Sequence, residues 1–211
     1  MKKILVAVVI CLALAATAQA REYWEKFNPQ STGVLKPALA VGNDGQWHGE
    51  LGQGWYRMSN FAQKGAVRFF HVSGISGETP QTLSNSLVTV WVGGKFDDPI
   101  SGAGLIYRFD RKTHTYWAFV VHGQGYYAVY RRNAKGLRQV VSGRHQAINT
   151  AGPNMLTIRP GQGEEVVCAV NGQPVATVTS PEITGHALGI LVVSPGSFRF
   201  EKFRIETKTP K

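Results

Sequence analysis

From Gly104 to Glu206 the chain reads as a ladder of short runs: GLIYRF (104–109), YWAFVV (116–121), GYYAVYRR (125–132), LRQVV (137–141), NMLTIRP (154–160), EVVCAV (165–170), PVATV (174–178), ALGILVV (187–193) and FRFEKFRIE (198–206). Each run is rich in β-branched and aromatic residues and is about 5 to 8 residues long. With turn signals between them and a spacing of about 8 to 12 residues, they form the pattern of an all-β sandwich or barrel. Asn171-Gly172 separates EVVCAV from PVATV, and both residues accept the positive φ of a tight primed hairpin turn. Gly123 to Gly125 joins two aromatic runs into an expected antiparallel pair. In the last run Phe198 and Phe200 have one parity, Phe203 and Ile205 the other. A bulge at Glu201-Lys202 is therefore expected to return all four to the core, leaving Arg199, Glu201, Arg204 and Glu206 on the opposite face to neutralise one another.

Upstream of the ladder, VRFFHV (67–72) and LVTVWV (87–92) read as strands linked by a polar, glycine-bearing segment from Ser73 to Ser86. Two further glycine-rich loops span 93–102 and 143–153. Residues 21–65 are less regular: an N-terminal strand, long loops and one short strand near Trp55 to Ser59 are expected. No internal repeat and no strong helical period is present.

Residues 1–20 carry the marks of a cleaved export signal: Lys2 and Lys3, the apolar run ILVAVVICLALAA, and Ala18-Gln19-Ala20 as the cleavage site. The apolar run falls short of the roughly 18 to 20 residues a membrane-spanning helix needs. Cys11 follows Ile10 rather than the small residue that lipid-modification sites resemble. Cleavage after Ala20 implies a periplasmic or secreted protein, and removing 20 of the 211 residues leaves 191, the size of one sandwich domain (21–211). Without the two signal lysines, 21 basic residues face 13 acidic ones, a formal charge of +8. Such a surface favours acidic partners. The basic residues are scattered, however, with Arg131-Arg132 and Arg111-Lys112 the clearest pairs, so no nucleic-acid partner is expected. Cys168, the one cysteine after the signal, sits in the apolar run VVCAV and reads as a buried, inert thiol.

The strings GAGLIYRFDRKTHTYWAFVVHGQGYYAVYRR, PNMLTIRPGQG, VNGQPV and GILVVSPGSFRFEKFRIE resemble exported bacterial domains of the concanavalin A-like lectin and glucanase superfamily, including the keto-disaccharide-hydrolase-like (LamG-like) group. The resemblance covers about half the chain, from Gly102 to Glu206. It implies an all-β, two-sheet antiparallel jelly-roll sandwich, with ligands on the concave face or its rim, and it is a signature of fold more than of activity.

Sugar-cleaving members of that superfamily carry carboxylates at alternate positions of one strand, and glycosidases in general need two carboxyls about 5 to 9.5 Å apart. No Glu-x-Asp-x-x-Glu string is present. Asp97-Asp98 and Glu164-Glu165 are adjacent pairs, which a strand would send to opposite faces. His114 and His122 bracket one run and would stand roughly 26 Å apart, too far to share an ion. Asp97, Asp98 and Asp110 are the residues a loop calcium site would use. No metal site, cofactor or catalytic residue is assigned. No Ser-His-Asp, Cys-His or phosphate-cradling motif occurs.

The richer signal is aromatic and basic. In the first run of the ladder Leu105, Tyr107 and Phe109 alternate with Ile106 and Arg108, which puts Arg108 on a wetter face and the other three in the core. In GYYAVYRR, Tyr127, Val129 and Arg131 oppose Tyr126, Ala128 and Tyr130. Arg108, Tyr116, Trp117, Tyr127 and Arg131 are therefore the candidate ligand-binding residues, a patch of flat rings and guanidinium forks suited to sugar rings, neutral or anionic. The leading expectation is a non-catalytic, exported saccharide-binding domain. Two alternatives stand beside it: a glycoside- or keto-disaccharide-hydrolase-like enzyme, with His114, His122 or Asp110 nearest the role of acid or base, and an envelope scaffold contacting acidic surfaces peripherally.

Overall fold

Alternation of apolar and polar residues is carried through into two stacked antiparallel sheets. The computed structural model describes residues 20–30, 32–61, 66–95, 99–179 and 181–208. Most of the expected export signal, and Asp97 and Asp98, lie outside these described residues.

The larger sheet contains β1 (Ala20–Glu25), β2 (Gly42–Asp44), β3 (Trp47–Leu51), β4 (Tyr56–Asn60), β6 (Leu87–Lys95), β11 (Asn154–Pro160), β12 (Glu165–Val170), β13 (Gln173–Thr179) and β15 (Gly196–Lys208). Its order is β13-β12-β11-β6-β15-β4-β3-β2, with β1 pairing the second half of β15 where β4 leaves off. The smaller sheet contains β5 (Val67–Val72), β7 (Gly102–Phe109), β8 (Tyr116–His122), β9 (Tyr126–Asn133), β10 (Gly136–Arg144) and β14 (Ala187–Val193), in the order β10-β9-β8-β7-β14-β5. This is the expected two-sheet jelly-roll sandwich.

Between the sheets lies one large apolar core. Tyr56, Met58, Val88, Val90, Val92, Leu156, Ile158, Phe198 and Phe200 reach into it from one side, and Leu105, Tyr107, Trp117, Phe119, Val129, Leu188 and Ile190 from the other. A fully buried side chain of this kind contributes about 1.5–3 kcal/mol. The expected bulge in β15 is present: Lys202 has φ 50°, the register against β6 shifts between Glu201 and Arg204, and Phe198, Phe200, Phe203 and Ile205 are all fully buried. On the other face Arg199 pairs with Glu201 at 2.7 Å and Arg204 with Glu206 at 3.7 Å. Asn171 (φ 49°) and Gly172 (φ 82°) make the tight turn between β12 and β13.

Three features depart from the sequence reading. A second bulge in β7 sets Tyr107 and Arg108 against Leu188 alone, with Arg108 at φ 54°. Phe109 is thereby turned out of the inter-sheet core and into a second apolar cluster, on the far face of the smaller sheet, with Ile106, Tyr116, Ala118, Val120 and Leu191. The segment 73–86 contains a short helix, α1 (Pro80–Ser84), started by Thr79, whose Oγ1 accepts from the Thr82 amide at 3.1 Å. In the irregular N-terminal part, β2 and β3 extend the larger sheet. The loop after β1 is held by Glu25, a buried carboxylate that accepts from the amides of Phe27 (2.7 Å), Lys36 (2.9 Å) and Leu35 (3.2 Å).

Candidate functional site

The five residues singled out in the sequence do not share one surface. Trp117 is 1% exposed and Tyr127 9%; both point between the sheets, where the Tyr127 hydroxyl donates to the Val175 carbonyl at 2.8 Å. Tyr116, as the alternate neighbour of Trp117, lies in the second cluster, packed on Phe69 and Phe109. Arg131 is half-buried opposite Trp117 in the β8–β9 register. Trp117 Nε1 and Arg131 Nε are both sealed from solvent without an acceptor among the described residues, so this pair sits at the core's edge. Arg108 is different: 8% exposed, it donates from Nε to the Ser84 carbonyl at 2.9 Å at the end of α1, yet it still lines a surface cleft.

The histidines and aspartate that an enzyme would use do not converge either. Asp110 accepts from the amides of Lys112 and Thr113 in its own turn, and these hydrogen bonds hold its carboxyl below the usual range. His114 is exposed in the same loop, with φ 54°. His122 is buried at the other end of β8, where desolvation lowers its pKa and Nδ1 donates to the Ser101 carbonyl at 3.0 Å. Among the described residues no group of three or more His, Cys, Asp or Glu side chains is placed to hold a metal ion. Burial pushes the Cys168 thiol pKa up, as an inert core thiol requires.

An Arg and aromatic face does exist, on the outer side of the larger sheet. In β6, Val88, Val90 and Val92 point inward, so Thr89, Trp91 and Gly93 point out. Across the sheet Trp91 is in register with Glu201, Gly93 with Arg199, and Arg199 with Arg57 of β4. Trp91, Gly93, Gly94, Pro153, Arg57, Ser197, Arg199 and Glu201 thus enclose a cleft of about 490 Å³. Gly93 lines it without a side chain: the three atoms nearest to a Cβ there all belong to Pro153, at 3.5 Å or more, so the trough is open because a side chain is missing and not because the backbone forbids one.

Around the trough the cations are held in place. Arg57 and Arg199 both lie over the Trp55 ring, at 4.8 Å and 5.2 Å, and Lys202 lies 5.6 Å from the Trp91 ring centre. Arg57 also donates from Nη1 to Glu50 at 2.9 Å. Further along the same face Arg204 lies over the ring of Trp24, 5.5 Å away. Stacked and ion-paired, these guanidinium groups are pre-oriented while keeping spare donors. The arrangement combines a half-buried indole, forked donors and one carboxylate. Chemically it suits a flat hydroxylated ligand. These residues were missed because they come from three strands far apart in sequence; the available signal was the parity of LVTVWV, which sets Trp91 beside Thr89 on the polar side.

No protein-family model and no curated protein sequence matches the chain. Solved structures do. The carbohydrate-binding module CBM66 from Bacillus subtilis aligns at TM-score 0.55 and 11% identity, covering 75% of this chain and 94% of that one. A Bacillus subtilis protein of unknown function with a galectin-like fold aligns at TM-score 0.54 and 10% identity, covering 79% and 89%. A prokaryotic β-1,3-1,4-glucanase (lichenase) derived from a mouse hindgut metagenome aligns at TM-score 0.55 and 9% identity, covering 88% and 98%. Identities this low speak for fold alone. With its strand order, register and shared inter-sheet core, the chain has a two-sheet antiparallel jelly-roll sandwich fold, the fold it shares with these structures.

Proposed function

We propose that the protein is an exported, non-catalytic saccharide-binding domain whose ligand lies in the Trp91 cleft. The observation that carries this reading is the glycine-lined trough beside a half-buried indole, flanked by Arg57 and Arg199. An indole face stacks on the apolar side of a sugar ring while guanidinium forks donate to its hydroxyls. Solved neighbours that share the fold are named as a carbohydrate-binding module and a glucanase, which supports a saccharide as the ligand. The non-catalytic role rests on the carboxylates: among the described residues the lining of the cleft contains a single one, Glu201, and it is paired with Arg199 at 2.7 Å. Hydrolysis of a glycosidic bond by the usual route needs two. Export rests on the signal-like residues 1–20.

The test is binding of the purified protein to a panel of neutral and anionic glycans, at low and at physiological salt, beside Trp91→Ala. Selective binding that survives physiological salt and drops at least tenfold in Trp91→Ala is the expected result. Retention of full affinity in Trp91→Ala, or binding only to anionic ligands at low salt, would refute it, because exposed charge contacts are screened over about 8 Å at physiological ionic strength and stacking is not.

A further inference from the structure

A second cleft, beside the end of α1 and lined by Arg108 of the β7 bulge, has the makings of a carboxylate site. It encloses about 380 Å³ and is lined by Gln81, Asn85, Arg108, Glu164 and Thr184 with Ile183 at its base. The bulge is what brings Arg108 here. With φ 54° the residue occupies the left-handed region that non-glycine residues rarely adopt, and its side chain turns back under the end of α1.

The charge of Arg108 is unbalanced. Its residue is 8% exposed, and no carboxylate among the described residues pairs with it. Its partners are neutral: Nε donates to the Ser84 carbonyl at 2.9 Å and Nη2 to Asn85 Oδ1 at 3.4 Å, while the ring of Tyr107 lies 5.5 Å from Cζ. A guanidinium has five N–H donors, so Nη1 and one Nη2 hydrogen are left for the cleft. Burying a cation is costly unless an anion accompanies it. Ion pairing with an incoming carboxylate offsets that cost, and a carboxylate matches the guanidinium fork in shape.

The other lining groups select the rest of the ligand. Gln81, Asn85 and Thr184 offer amide and hydroxyl groups at the rim, the set that hydroxyls on a ring would use, while the exposed Glu164 carries the same charge as the incoming carboxylate and is no part of what holds it. A neighbouring groove of about 590 Å³ shares Gln81 and Asn85 and adds Arg159 and Lys208, with Glu206 beside them, so there is room for a chain of more than one sugar unit. We propose that the Arg108 cleft binds a uronate, a sugar ring bearing a carboxylate, with Arg108 holding the carboxylate. This site stands apart from the Trp91 cleft and does not depend on it.

The probe is D-glucuronate, titrated into isotope-labelled purified protein and followed by the amide signals of Gln81, Asn85 and Gly163, with the neutral methyl ester as comparison. Saturable shifts at these residues, at least tenfold weaker for the ester and for Arg108→Lys, are expected. Glu164→Gln, at an exposed position that cannot unfold the sandwich, should bind glucuronate at least as tightly as the parent. Three results would each overturn the proposal: no saturation in the millimolar range by parent and Glu164→Gln alike, equal affinity for the ester, or shifts confined to Trp91 and Gly93. Because Gly93→Val leaves the Arg108 cleft untouched, undiminished glucuronate binding by that variant separates failure of one site from failure of the other.

Discussion

Filling the trough above Gly93 tests the saccharide reading without removing a single polar contact. In Gly93→Val the new Cβ meets Pro153 Cβ at 3.5 Å, Pro153 Cα at 3.6 Å and Pro153 N at 3.9 Å, all ordinary contacts. Gly93 is not among the positive-φ glycines, so a β-branched residue can take its backbone conformation. A glycine inside a strand costs roughly 0.5–1 kcal/mol relative to alanine, and valine is at home on a pleated surface. The variant should therefore be more stable by about that amount. For the ligand the sign reverses. Residues two apart on one face of a strand stand about 6.6 Å apart, so the valine methyls rise beside Trp91 where a stacked sugar ring would extend. Loss of that fit is expected to weaken binding at least tenfold, about 1.4 kcal/mol. Thermal melting and glycan titration of the parent and the variant read both effects. A variant with raised melting temperature and unchanged glycan affinity would refute the placement of the ligand in this cleft.

Trp117→Ala should cost about 3–5 kcal/mol in urea unfolding, as expected for a large ring removed from a packed core; a loss below about 1 kcal/mol would mean that the ring is not part of the core. Glu25→Ala orphans three backbone amides, each costing about 1–3 kcal/mol when buried. It should destabilise the protein by about 3 kcal/mol or more and expose the loop from Lys26 to Lys36 to proteolysis first. Burial lowers the pKa of His122, and of His71, where Arg111 adds to the effect, below the ordinary value of 6.5. Between that value and the lower folded one, the unfolded chain takes up a proton that the folded chain refuses, so stability is present above pH 6.5 and is lost as pH falls through the folded pKa values. Melting temperature should drop from pH 7.5 to pH 5, and the slope should flatten in His122→Asn; an unchanged slope would show that this imidazole contributes nothing to it. Asp110, whose carboxyl titrates below 3.8, does not enter that window.

Much of the sandwich was legible in one dimension because strands bury one face and so alternate with period two. The four core residues of β15 could be reconciled with one face only by a bulge, and the bulge is there. Asn171-Gly172 named its own turn. The β7 bulge was not legible: LIYRF alternates well enough without it, and what turns Phe109 outward is the pairing with β14 and the carbonyls of α1 that draw Arg108 and Tyr107. The strands β2 and β3 were hidden for a related reason, since WHGEL and GND carry little apolar periodicity and exist as strands because β4 offers them an edge.

The candidate patch shows the same division. Tyr127 and Arg131 were placed on one face, and they are, but which side of the smaller sheet faces the larger one is not written in either strand alone. Alternation therefore sorted the rings into two sets without saying which set would be core, and Trp117 and Tyr127 became core. Trp91, Arg57 and Arg199 met across β6, β15 and β4 through hydrogen-bonded register between segments more than a hundred residues apart in the chain. By itself the sequence determined the class of fold, the places of several turns and, in most strands, which residues share a face, because these follow from local backbone geometry and the cost of wetting apolar side chains. Which faces were left to solvent, and which distant side chains came to share a cleft, was decided only by the stacking and register of the two sheets, since those depend on contacts between segments that carry no local signal of one another.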